Sequence, residues 1–289
     1  MKLFAPNILV IGDTIFGLDD ATGRPQPPAL AAKYESDIMG LRQTIQNHRF
    51  GAQWLEIVGN NPEPIVIVPT TVTNDAVAQT FPNITEWPNR LADTLAKGFS
   101  PEATGGGTPM VGTGRGTPIR VKFNPDAQLG FISMGVSGEV LLVHELTHAY
   151  RSASGRFAPT PMKELVNPGG LSPNDPIRRS PDVEKRFPNW EEWLAVVVEN
   201  VVASEGGKSF VRTSWDVLHP SSATDPAYFK FWSIYTGDVS DSRQFAFDYR
   251  PAIQLLLKLE PGLFRAMEVS HGWFNPVRDH VAELLSTRK

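Results

Sequence analysis

The sequence predicts an α+β protein with two lobes, an N-terminal lobe (1–135) built on a mixed sheet and a mainly helical C-terminal lobe (136–289). Short apolar runs bounded by turn residues characterise the first lobe. Apolar residues at three- and four-residue spacing characterise the second lobe. Because no internal repeat or clean linker divides the chain, we expect a single domain over residues 1–289.

The first lobe alternates strand and helix patterns. Its apolar, β-branched runs predict strands at residues 8–11, 64–69 and 119–123. Apolar side chains recur at helical spacing over residues 29–48, which predicts a helix, and residues 87–97 carry a weaker helical pattern.

A glycine-rich stretch, residues 105–117, precedes the last of these strands. A phosphate-binding loop needs a helix after it, with free backbone N–H groups that face the anion. Because a strand follows here, and Lys122 lies within that strand, we interpret the stretch as a flexible connection and not as a phosphate site.

The second lobe is predicted to be helical at residues 137–154, 189–203, 229–235, 252–257, 263–269 and 277–285. Residues 156–188 are rich in proline and predict a long loop. Since this loop joins the first two helices of the lobe, we expect it to form a rim of the cleft beside them.

The composition excludes several classes of protein. The chain has no cysteine, so any metal must be held by His, Asp or Glu. A net charge of −4 lacks the basic excess of a nucleic-acid-binding protein. No stretch has the length of a membrane span, and the apolar run near the N-terminus, broken by Pro6, makes a poor secretory signal. We therefore expect a soluble protein, either cytoplasmic or secreted without a cleaved signal peptide.

The segment from His144 to His148 carries the pattern HExxH within an apolar helix. Residues four apart lie on one face of a helix, so both imidazoles can face a single ion. Glu145 lies about 100° around the helix, within reach of a water bound to that ion. The pattern is typical of zinc metalloproteases, and it predicts two zinc ligands, His144 and His148, with Glu145 as the general base. The structural alternative is a hydrogen-bonded pair of core histidines beside a surface glutamate.

A third ligand is expected on a second helix. Arg151 and Ser154 occupy the positions at which the metzincin pattern places Gly and His, so that branch is excluded. Glu191 and Glu192, flanked by tryptophans, are the best candidates. We prefer Glu192, because the small Ala195 one turn later leaves room for an ion, and keep Glu191, which a leucine follows at that spacing, as the alternate. The glutamate that does not bind metal would be a helix-start acid.

Further groups would orient the ligands and stabilise the oxyanion. Glu199, two turns beyond Glu192, is a candidate acceptor for a hydrogen bond from a ligand histidine, with a solvated helix charge as its alternative. The oxyanion needs a donor opposite the metal. The sequence does not choose among the candidates Tyr228, Tyr235, Tyr249, His219, His271 and Arg212.

The segment LLVHELTHAYRSASG (141–155) resembles the bacterial effector zinc metallopeptidases, a zincin family that includes type III secreted effectors. So do the glycine stretch GTGRGTPIRVKFNP, the N-terminal strand–helix–strand order, and the later residues Glu191-Glu192, Glu199-Asn200, Glu205-Gly206 and Arg212. The resemblance covers about residues 7 to 215. It implies a zincin-like fold, zinc endopeptidase activity, the two histidine ligands, the general base and an acidic third ligand from residues 191–192. Trp215 stands where that family leads us to expect a tyrosine, and residues 216–289 have no counterpart.

The expected function is hydrolysis of internal peptide bonds in a protein or peptide substrate, and a role as a secreted effector or toxin is compatible with it. An aminopeptidase on the same site is one alternative, which would need an additional acidic cluster to bind the free α-amine. A non-catalytic, zinc-containing protein-binding module is another, although such a module has no use for Glu145.

Overall fold

The structure is a computed structural model that describes residues 1–17, 23–71, 78–82, 116–126, 137–158, 160–166, 186–208, 211–212 and 239–287. Described residues up to Ala158 belong to one compact unit, and those from Thr160 onward belong to a second. The HExxH helix therefore lies in the unit that contains the sheet, whereas the sequence led us to expect it in the helical lobe. The single domain stays a prediction.

The first unit is built on a mixed sheet. Its strands are β1 (Lys2–Ala5), β2 (Ile8–Val10), β5 (Ile65–Pro69), β6 (Ala78–Pro82) and β7 (Ile119–Phe123), and a separate pair consists of β3 (Thr14–Ile15) and β4 (Arg24–Pro25). The five strands of the main sheet follow the order β1-β2-β5-β7-β6. β2, β5 and β7 run parallel, and the two outer strands run antiparallel to their neighbours. The mixed sheet and the three predicted strands are thus confirmed.

Three helices accompany this sheet: α1 (Pro28–Gln46), α2 (Arg49–Gly59) and α3 (Gly138–Ala153). Helix α3 packs against β6 and β7 and also contacts α1 and α2. The predictions for α1 and α3 are confirmed within one or two residues at each end. Strands β1, β3, β4 and β6 and helix α2 were not predicted. Strand β1 is short and half exposed, β3 and β4 have two residues each, β6 ends in proline, and α2 contains two glycines.

Gly116, near the end of the glycine-rich stretch, occupies a position that only glycine fits. Its φ of 82° lies in the left-handed region that side chains disfavour. A Cβ at this position would lie 1.8 Å from the carbonyl oxygen of Ala153, at the end of α3. Strand β7 follows directly, as predicted, and the buried Lys122 donates to the carbonyl of Gly17 at 2.9 Å. These contacts support the structural interpretation of the segment that leads into β7.

The described part of the second unit is helical. Its helices are α4 (Met162–Val166), α5 (Trp190–Glu205), α6 (Val239–Asp248), α7 (Arg250–Leu259), α8 (Pro261–Glu268) and α9 (Pro276–Ser286). The Trp190 indole N–H donates to the Ala252 carbonyl at 3.1 Å, which fixes the start of α5 against α7. The predicted helices at 189–203, 252–257, 263–269 and 277–285 are confirmed, with longer bounds for α7. None of the helices in the described ranges combines the length and the apolar character of a membrane span.

Two features of this unit differ from the sequence prediction. The long loop predicted over 156–188 contains the short helix α4, whose Met162 and Val166 are buried. Helix α6 was not predicted, because its sequence VSDSRQFAFD has too few apolar residues for a helical pattern. The predicted helices at 87–97 and 229–235, and residues 105–115 of the glycine stretch, lie outside the described residues.

We predict that Gly116→Ala lowers the free energy of unfolding by about 2 kcal/mol or more, because the methyl group adds a clash to an unfavourable φ. Gly40→Ala is the matched control. Gly40 lies exposed within α1, where an added Cβ meets nothing within 4 Å, so this change should stabilise by about 0.5–1 kcal/mol. Urea unfolding of both variants measures the difference, and equal midpoints would contradict the strain argument.

Candidate metal centre

Helix α3 buries almost every side chain of the HExxH segment. It begins after Ser137, whose hydroxyl donates to the first-turn Glu139 at 2.5 Å, and it ends before Gly155, which has a φ of 63°. Leu142, Val143 and Leu146 are fully buried in the core. The apolar positions thus fix which way the helix faces, and the polar residues between them are carried into the interior.

The two histidines of the motif lie together. The Nε2 atoms of His144 and His148 are 3.2 Å apart, and their rings meet edge to face at 81°. Both side chains are buried, with residue exposures of 5% and 8%. Two nitrogens bound tetrahedrally to one zinc ion, each at about 2.0–2.1 Å, would be about 3.3 Å apart. The observed spacing therefore fits a shared zinc ion.

Glu145 is held by a residue that the sequence did not single out. The Thr80 hydroxyl lies 2.7 Å from the Glu145 Oε2 atom and 3.0 Å from the Glu145 backbone carbonyl oxygen. Thr80 belongs to β6, where it pairs with Val121 of β7. No sequence signal points to this contact, since it depends on the register of an outer strand against the sheet.

In the second unit, α5 carries the acidic pair. Asn189 caps the helix, and its side-chain oxygen accepts a hydrogen bond from the Glu192 backbone N–H at 3.0 Å. Glu191 is fully buried and Glu192 is partly exposed, with a buried Oε2 atom. Both glutamates therefore stand in the first turn, where the helix dipole favours a negative charge.

Glu199 is a buried member of an ion pair. Its Oε1 atom lies 2.9 Å from the Nε atom of Arg212, and the exposures of the two side chains are 0% and 8%. Asn200 accepts from the Arg212 backbone N–H at 2.9 Å and donates to the Arg212 carbonyl at 2.6 Å. The alternative of a solvated helix charge for Glu199 is therefore wrong, whereas its hydrogen bond to a ligand histidine stays a prediction.

The structure describes only some of the candidate oxyanion donors. Tyr249 is fully buried, with its ring 4.5 Å from that of Phe245 and 6.2 Å from that of Trp193, which indicates a core packing role. His271 is exposed, and its backbone N–H donates to Glu205 at 3.0 Å. Tyr228, Tyr235, His219 and Trp215 lie outside the described residues.

Imidazole nitrogens and a carboxylate oxygen are the ligand types that zinc takes in proteins. The described residues include a group of this composition, His144, His148 and Glu192, that could hold a metal ion. Comparison of the chain with protein-family models, curated proteins and solved structures gave no match.

The buried ion pair gives a stability prediction. Arg212→Met should lower the free energy of unfolding by about 3–5 kcal/mol, because it removes a buried partner of the Glu199 carboxylate. Adding Glu199→Gln to that variant should recover part of the loss, since the charge is then removed as well. Urea unfolding followed by tryptophan fluorescence measures both variants, and an unchanged midpoint for Arg212→Met would contradict a structural role for the pair.

Proposed function

We propose that the protein is a zinc endopeptidase with a zincin-like fold, in which His144 and His148 bind the metal and Glu145 is the general base. The observation that carries the proposal is the 3.2 Å separation of the two Nε2 atoms, which matches two ligands of one zinc ion. The structural alternative, a hydrogen-bonded pair of core histidines beside a surface glutamate, fits the same distance, and the metal analysis below separates the two.

Bound zinc would supply a Lewis acid that polarises the scissile carbonyl and makes the attacking water more acidic. Glu145 would take the proton of that water and pass it to the leaving amine. Other side chains of the site surround Glu145. The two imidazoles are buried, and the Thr80 hydroxyl holds one oxygen of the carboxylate.

Glu192 is the proposed third ligand. It is the acidic member of the group of candidate ligands described above, and its Oε2 atom is buried. The fully buried Glu191 stays the alternate, with a structural role at the start of α5 if Glu192 binds the ion.

Strand β6 supports a protein or peptide as substrate. It lies at one edge of the described sheet, and it contacts helix α3, which carries the metal motif. An extended peptide could pair with the backbone of such an outer strand, which brings its amide bonds to a site beside the strand. Delivery as a secreted effector or toxin is compatible with this activity and remains a separate proposal.

The proposed function first predicts the metal content of the protein. The purified chain should bind about one zinc ion, and His148→Asn should lose it, since a tetrahedral site with three protein ligands cannot spare one. Glu192→Ala should also lose zinc, while Glu191→Ala should keep it. Elemental analysis after dialysis measures the content. Zinc retained by Glu192→Ala and lost by Glu191→Ala would reverse the choice of third ligand, and no zinc in the wild type would contradict the site.

The proposed function also predicts peptide cleavage that depends on Glu145. We expect the zinc-loaded wild type to cleave internal bonds in a proteome-derived peptide library, read by mass spectrometry. Glu145→Gln keeps the size of the side chain and removes the base, so it should keep zinc and lose cleavage by at least about a hundredfold. Glu139→Gln, on the first turn of the same helix, is the matched control and should cleave like the wild type. Equal cleavage by Glu145→Gln would contradict the mechanism.

A further inference from the structure

We propose that Thr80 is a positioning residue for the general base: its hydroxyl fixes the carboxylate of Glu145 so that the free oxygen points to the reacting water. This inference rests on the proposed peptidase function. It begins from the contact between the two side chains, in which the Thr80 Oγ1 atom is 2.7 Å from the Glu145 Oε2 atom.

The chemistry of the contact assigns the roles. A threonine hydroxyl has one proton, and both atoms near it on Glu145, the Oε2 atom and the backbone carbonyl oxygen at 3.0 Å, are acceptors. The hydroxyl is therefore the donor, and the two acceptors compete for its single proton. A hydrogen bond to a carboxylate is about twice as strong as one between neutral groups, so Oε2 is the favoured partner. The second carboxylate oxygen, Oε1, has no hydrogen bond to any described residue.

The scaffold makes this donor rigid. Thr80 lies in the middle of β6, whose ladder with β7 runs from the pair Ala78–Phe123 to the pair Pro82–Ile119. Helix α3 packs against both strands. A hydroxyl on a paired strand and a carboxylate on a packed helix hold each other within a narrow range of distances. Such preorganisation is what a base needs in order to meet one water in one orientation.

Two substitutions separate this role from simple packing. Thr80→Val keeps the shape and the β-branched character of the side chain and removes the hydroxyl. Thr80→Ser keeps the hydroxyl and removes the methyl group. A positioning role predicts that Thr80→Val is impaired and Thr80→Ser is near wild type, whereas a packing role predicts the reverse order.

The kinetic experiment uses the full-length, zinc-loaded protein and the best-cleaved peptide of the library. Thr80→Val should lower kcat about ten- to a hundredfold, the usual effect of removing an outer partner of a site group, with KM and zinc content unchanged. Thr80→Ser should restore kcat to within about threefold of the wild type. A Thr80→Val enzyme with wild-type kcat, or a Thr80→Ser enzyme as slow as Thr80→Val, would overturn the proposal.

A second measurement needs neither zinc nor substrate. In a double-mutant cycle on urea unfolding of the metal-free protein, Thr80→Val should lower the midpoint more in the wild type than in Glu145→Ala, because the acceptor carboxylate is absent from the latter. Equal shifts in the two backgrounds would overturn the Thr80–Glu145 interaction even if the enzyme is active. A coupled pair in a protein that cleaves no library peptide would instead count against the peptidase function.

Discussion

The geometry of the candidate site depends on the burial of one helix, α3, against the neighbouring strands β6 and β7 of the sheet. Leu142, Val143 and Leu146 are fully buried, so the rotation of the helix about its axis is fixed by apolar packing. A rotation by one residue position, about 100°, would put a different side chain in each of these places and break their packing. With the rotation fixed, the residues between them have no freedom to face elsewhere, and the two imidazoles are carried side by side into the interior.

Burial of polar groups in this way has a free-energy cost, and the structure offsets it by pairing them. An unpaired polar side chain in an apolar interior costs about 1–3 kcal/mol, and an unpaired charge costs more. Arg212 binds the fully buried Glu199, and the Arg151 guanidinium donates to the carbonyl of Arg156 just beyond the end of α3. A metal ion would offset the cost for the imidazoles in the same manner.

The sequence was informative where structure is local or strongly patterned. The strands β2, β5 and β7 follow from apolar runs, and α3 follows from its spacing and the glycine after it. Among the missed elements, β1 and α6 lack those signals, whereas α2 carries apolar residues at helical spacing that two glycines interrupt. Strand β1 has two exposed residues of four, and α6 is mostly polar. Their form comes from neighbours in space, such as the pairing of β1 with β2, which a one-dimensional pattern does not record.

The candidate site also combines local contacts, which the sequence predicts, with contacts between residues distant in the chain, which it does not. A spacing of four residues brought His144 and His148 together, because one turn of helix places such side chains on one face whatever the rest of the fold does. The contact of Glu145 with Thr80 spans 65 residues of chain. It exists only because β6 pairs with β7 in one register and α3 packs across both strands. The sequence alone therefore determined the pair of imidazoles, through local helix geometry, while the tertiary structure decided what holds the carboxylate beside them, since strand register and helix packing are set by contacts distant in the chain.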